Sequence, residues 1–152
     1  MNYHEKALRD LEVAKNYNSA QGNPGNDEGL YDIAAYHAQQ AIEKELKHIL
    51  HDVFGADETE RKFKTHTIPA LISQVEEYDV SVPDNVKAIA YDITAWEAKT
   101  RYPGGAKSNR DDINEAIQIY EEFSGYVKDN IDNISTEGKT ETCQEEEGKD
   151  EV

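Results

Sequence analysis

A chain of 152 residues holds one ordinary domain and is short for two. With 32% charged and 37% hydrophobic residues it reads as soluble and helix-rich, and no segment reaches the run of about 18 apolar residues that a membrane span needs. The formal charge of −16 argues against broad, sequence-independent binding to duplex nucleic acid, which relies on Lys and Arg neutralising phosphates; any RNA contact must use a local patch.

Cys143 is the single cysteine, so an intramolecular disulfide and a site of several thiolates are both excluded, and a free thiol suits a reducing compartment. The opening Met1-Asn2-Tyr3-His4-Glu5 lacks the basic and then apolar order of a secretion signal, which makes a cytoplasmic location the default.

Helical periodicity predicts a first helix from about Tyr3 to Ala20, with Ala7, Leu11 and Ala14 inward and Leu8 beside them. Gln21-Gly22-Asn23-Pro24-Gly25-Asn26 stops it. A second helix starts near Asp27, a suitable N-cap, and runs to about Phe54 with Tyr31, Ala35, Ala38, Ile42, Leu46, Ile49 and Val53 on one face. The alanines at 34, 35, 38 and 41 allow close approach of another helix, while Gln40, Lys44 and Lys47 form a polar stripe at i, i+4, i+7. Gly55 ends the helix and residues 56–66 connect it to a short helix from about Thr67 to Tyr78, where Pro69 is tolerated in the first turn and Ile68, Leu71, Ile72 and Val75 face inward.

A fourth helix starts around Pro83-Asp84, carries Val86, Ile89, Ile93 and Trp96, and stops at Arg101-Tyr102-Pro103-Gly104-Gly105. The last, from about Arg110 to Asn133, buries Ile113, Ala116, Ile117, Tyr120, Phe123, Val127 and Ile131. No segment reads as a strand. The expected fold is all-α, an up-and-down four-helix bundle with one additional short helix over residues 1–134. Residues 135–152 carry seven acids against two bases and one strongly apolar residue, Val152, the composition of a disordered acidic tail; they leave a charge of −11 on residues 1–134. Nine tyrosines and one tryptophan exceed what a small bundle must expose, which places some at a dimer interface, along a cleft, or at the core boundary with wet hydroxyls.

Three phrases in this order carry a family resemblance: Ala35-Tyr36-His37-Ala38-Gln39-Gln40-Ala41-Ile42-Glu43-Lys44-Glu45-Leu46-Lys47-His48-Ile49-Leu50, then Lys64-Thr65-His66-Thr67-Ile68-Pro69-Ala70-Leu71, then Thr100-Arg101-Tyr102-Pro103-Gly104. With an opening helix of the form A-L-x-x-L-x-x-A, the chain resembles the HEPN domain family over roughly residues 3–134. The resemblance implies an all-α bundle, frequent homodimerisation, and association with nucleotides, with nucleotidyltransferase partners and, in some branches, with RNA cleavage.

The best candidate site for a nucleotide or phosphate is polar: Lys44, Lys47, Lys64, His66, Arg101 and Tyr102. If the loops bring these ends together, two or three cations face the helix N-terminus at Thr67, and Tyr102 or Trp96 supplies a stacking face for a base. The competing structural reading makes Lys44 and Lys47 solvated helix residues, His66 a capping residue, and Arg101 a ligand of its own helix's last carbonyls.

Active members of the resembled family use Arg-x4-6-His near the final helices, in a site composed by paired subunits. Here no histidine follows His66, so that motif is absent from its usual place. Arg61 and His66 match the spacing but lie before the short helix, and they stand only as weak catalytic candidates. Glu45-Leu46-Lys47-His48 has the Glu-x-x-His spacing of di-iron bundles but no second copy, and His48 with His51 reads as two exposed imidazoles on a solvated face; no metal and no cofactor are expected. A phosphate loop with Lys-Ser/Thr and a Gly-x-Ser-x-Gly elbow are both missing.

These observations lead to a nucleotide- or RNA-associated binding module, homodimeric, working with a separately encoded minimal nucleotidyltransferase in a toxin–antitoxin-like pair. The alternatives are a metal-independent endoribonuclease toxin and a non-catalytic, antitoxin-like scaffold whose acidic surface engages a basic partner. Neither a membrane nor duplex DNA is an expected partner.

Overall fold

The computed structural model describes the backbone of residues 1–19, 27–65, 67–101 and 110–132, and side chains over 1–17, 33–65, 67–93 and 111–132. Among the described residues the chain is all-α: α1 (Tyr3–Ser19), α2 (Asp27–Lys47) extended by a π-helical segment (His48–Val53), α3 (Ile68–Glu76), α4 (Asp84–Arg101), and α5 (Arg110–Val127) extended by a second π-helical segment (Lys128–Asp132). None of these helices is long and apolar enough to cross a membrane.

The periodic apolar positions explain the packing. Ala7, Leu11 and Ala14 of α1, Ala34, Ala35, Ala38, Ala41, Ile42 and Leu46 of α2, Ile68, Leu71 and Val75 of α3, Val86, Ile89 and Ile93 of α4, and Ile113, Ala116, Tyr120, Phe123 and Val127 of α5 join one core. The alanines of α2 let it sit in the middle, touching α1, α3, α4 and α5. Side-chain pairing gives the directions. His4 meets Glu45 and Asp10 meets His37, so α1 and α2 are antiparallel, while Glu45 meets Tyr120 and His48 meets Asp132, so α2 and α5 run together. Asn85 bonds Glu122 early in α4 and late in α5, an antiparallel pair.

Helix ends depart from the simple pattern. A single α-helix expected to reach Phe54 widens after Lys47: Phe54 N–H donates to Ile49 O, five residues back. Gly55, at φ +75°, then turns the chain, with Gly55 N–H on His51 O at 3.0 Å and Ala56 N–H on Leu50 O at 2.7 Å. A Cβ at Gly55 meets nothing within 4 Å, so the left-handed backbone alone calls for glycine. Thr67 is extended and caps α3 rather than starting it, and the short helix closes at Glu76 through a tight turn over residues 77–79. The last helix is α-helical only to Val127. Leu8 is exposed and Val53 half-buried; Tyr31 and Trp96 side chains lie outside the described residues.

One expectation is overturned. The polar side of α2 is not solvated: Gln39, Gln40, Glu43, Glu45, Lys47 and His48 are all buried, and His51 is half-buried. A helix surrounded by four others has little outer face, so its charges turn inward and must find partners.

Candidate functional site

Three polar arrangements occupy the seam of α2. Asp10 of α1, 7% exposed, is held from both sides: His37 Nδ1–H donates to Oδ1 at 2.7 Å and Lys44 Nζ to Oδ2 at 2.6 Å. One turn further, Lys47 reaches back to Glu43 at 3.2 Å and lies 5.3 Å from the centre of the Phe63 ring. Glu45 has no exposed surface; its Oε1 accepts the Tyr120 hydroxyl at 2.8 Å and its two oxygens lie 2.9 and 3.2 Å from His4 Nδ1. The bond from Glu45 is the main cause that raises the His4 pKa, against the opposing pull of burial. Burial, then the Glu45 charge, pushes the Tyr120 phenol well up.

At the lower pole of the bundle the two π-helical segments meet. His48 is clamped between Asp52 (Nδ1 to Oδ2, 3.0 Å) and Asp132 (Nε2 to Oδ1, 3.0 Å). Asp52 Oδ2 also accepts the Tyr3 backbone N–H at 2.8 Å. The Tyr3 ring packs edge-on against His51 and Phe63, and its hydroxyl donates to Glu58 at 2.9 Å. Burial and that bond push the Tyr3 phenol up to about 12.

Phe63, 3% exposed in an otherwise charged stretch, is therefore an anchor. It pins the turn 57–64, which is closed by Phe63 and Lys64 N–H bonds to Glu60 O and by Gln74 Nε2 donating to Lys62 O at 2.7 Å. Arg61, Lys62 and Lys64 project from the turn, exposed and without an ion pair among the described residues. The same turn also carries three acids: Glu58 is met by Tyr3 and His51, Asp57 by the Thr59 hydroxyl and N–H, which with the charges of His51 and Lys64 lower its pKa, and Glu60 is exposed.

Among the six nucleotide-site candidates, Lys44 and Lys47 are half-buried and buried cations already compensated by Asp10 and Glu43, and Lys64 is exposed on the turn, without an ion pair among the described residues though its charge helps lower the Asp57 pKa. His66 and Tyr102 lie outside the described residues, as does the side chain of Arg101, the last residue of α4. Arg61 is exposed on the same turn as Lys64. Asp10, Glu45, His4 and Tyr120 were not legible as a site; Phe63 left a faint signal as a lone aromatic between Lys62 and Lys64. Among the described residues no group of three or more His, Cys, Asp and Glu is arranged to hold a metal ion. A shallow groove between α4 and α5, lined by Asn85, Ala88, Asp92, Glu115 and Ile119, offers carboxylates and no cation, so it does not suit a phosphate.

Fold and site together define a small helical module with an inward-charged central helix and, among the described residues, a turn that exposes Arg61, Lys62 and Lys64 on an acidic body. The family model for the HEPN domain matches residues 2–130, and the chain belongs to the HEPN domain family. That membership makes it a nucleotide- or RNA-related module. Comparison with curated proteins and with solved structures gives no significant match.

Proposed function

We propose that the protein is a binding module that engages the phosphates of a nucleotide or RNA strand through Arg61, Lys62 and Lys64, acting as a homodimer beside a separately encoded minimal nucleotidyltransferase. The observation that carries this reading is the clustering of three exposed cations without an ion pair among the described residues on the Phe63-anchored turn, whereas Lys15, Lys44, Lys47 and Lys87 each lie within 4.0 Å of a carboxylate; Lys6, Arg9 and Lys128 are likewise exposed without such a pair but are separated along the sequence. Exposed Ile33 and Tyr36 on α2 and Tyr17 on α1 supply apolar contact area for a second protein.

The chemistry of the turn is positioning, not bond cleavage: three donors held by a buried ring suit phosphate oxygens. Three phosphate contacts to a single strand give a salt slope of about −2, so affinity falls roughly 20-fold between 50 and 200 mM salt. Measuring binding of a labelled single-stranded RNA at both salts tests this, together with the melting shift across a nucleotide panel and on mixing with the candidate partner. Salt-independent binding, or no binding and no shift, overturns the reading.

A further inference from the structure

We propose that His48 is a proton-operated latch: as an imidazolium it ties the π-helical end of α5 to that of α2 through Asp132 and Asp52, and loss of one ring proton releases the α5 end. The latch does not rest on the binding role proposed for the turn.

The donor count carries it. Both ring nitrogens of His48 lie 3.0 Å from a carboxylate oxygen, Nδ1 from Asp52 Oδ2 and Nε2 from Asp132 Oδ1. An ionised carboxylate only accepts, so each contact is a hydrogen bond only where that nitrogen carries a proton, and a ring protonated on both nitrogens is the cation. In a neutral ring one nitrogen would aim its lone pair at a carboxylate oxygen. The His48 side chain is 9% exposed, which makes that mismatch costly.

The surrounding charges favour the cation. Among the described residues, Glu45, Asp52 and Asp132 surround the rings of His4 and His48, whose centres lie 5.5 Å apart. Three carboxylates against two imidazoles leave the pole anionic even with both rings charged. Glu5 and Lys6 of α1 are exposed beside His4, as are Lys128 and Asp129 on the α5 extension. The α3 helix also touches the π-helical end of α2, and its one charged residue, Glu76, is engaged by Lys87.

The two carboxylates are held unequally. Asp52 also accepts the Tyr3 N–H at 2.8 Å and its side chain is 19% exposed, whereas that of Asp132 is 41% exposed. The proton therefore leaves from Nε2, and Asp132 exchanges the ring for water while Asp52 stays. A π-helical turn is a marginal conformation by itself, but Ile131, 1% exposed, keeps the chain seated on the core. The latch thus acts on Lys128–Asp132, holding as pH falls and letting go as it rises. His4 loses its contribution in the same direction, so global melting sums the two rings and a local readout is needed.

The test uses the full chain and a full-length Asp132→Asn variant. Ring 15N shifts of His48 are recorded at pH 6, and amide exchange of residues 128–132 is compared between the two proteins at pH 6 and at pH 8.5, where the intrinsic exchange chemistry is common to both. The expected result is two protonated His48 nitrogens at pH 6, with the wild type better protected by about tenfold, the effect of one charge-assisted bond. At pH 8.5 the order should reverse, because the introduced amide can donate to a bare Nε2 and a carboxylate cannot. A His48 nitrogen without a proton at pH 6 overturns the latch, whatever the variant does. Protection that changes in parallel in the two proteins overturns release through Asp132. The reversal should persist when both proteins carry His4→Gln; its loss there assigns the pH response to His4 and overturns the proposal.

Discussion

Replacing Tyr120 with Phe removes one oxygen from the middle of the bundle and almost nothing else. The ring is 1% exposed, and among the described residues the fully buried Glu45 carboxylate is bonded by its hydroxyl and by His4. Phe keeps the ring volume, so no water-sized space opens to replace the lost donor. Losing a hydrogen bond to a buried charged group costs about 1.5–3 kcal/mol. For an ordered body of this size each kcal/mol lowers Tm by about 3–5 °C, so the variant should melt about 5–15 °C lower.

The pH dependence separates the two partners of Glu45. Folding raises the His4 pKa above its ordinary value of 6.5, so its contribution is complete below about pH 6.5 and is lost as pH rises through the folded value. Wild type should lose stability from pH 6 toward pH 8, Tyr120→Phe should keep that slope, and His4→Ala should flatten it. Tyr120 is also raised, so above pH 10 the wild type should lose an increment that Tyr120→Phe does not; Tyr3 contributes a similar decline in both. Calorimetric melting from pH 5.5 to 11 measures all of this. A Tyr120→Phe midpoint within 1 °C of wild type, or an unchanged slope in His4→Ala, refutes the buried Glu45 arrangement.

Other substitutions address separate elements. Asp10→Asn weakens the bonds to both His37 and Lys44, and urea unfolding should report a loss of about 1.5–3 kcal/mol. Gly55→Ala should cost about 1–2 kcal/mol through the left-handed backbone alone, since its Cβ has open space; a neutral result in the same assay would contradict the π-widened helix end. Phe63→Ala should cost about 3 kcal/mol and weaken RNA binding as well, because the ring both fills the Tyr3 and His51 cluster and holds the basic turn. Loss of stability with RNA affinity intact would separate the turn from its anchor.

The apolar face of each helix was readable because burial repeats with the helical period, as Ile113, Ala116, Tyr120, Phe123 and Val127 do on α5. The polar side of α2 was not readable in the same way. Spacing puts Gln40, Lys44 and Lys47 on one stripe but does not say whether water or another helix covers it. Glu43 to Lys47 is a local i, i+4 pair, whereas the partners of Lys44 and Glu45 lie 34 and 75 residues away at Asp10 and Tyr120. The π-helical segments escape periodicity because one widened turn hardly shifts an apolar stripe. At the turn, sequence supplied Arg61 and Lys64 as candidates, while the reason they are presented outward, a buried Phe63 between them, emerged only from tertiary packing.

The central claim is that the basic turn, not the compensated lysines of α2, meets the ligand phosphates. Its most direct test is titration of labelled single-stranded RNA with wild type, Arg61→Ala/Lys62→Ala/Lys64→Ala and Lys44→Met at 50 and 200 mM salt. The account predicts that the triple variant loses binding and the salt slope of about −2, while Lys44→Met, if folded, binds as wild type does. Full binding by the triple variant, with binding lost in a folded Lys44→Met, would contradict it.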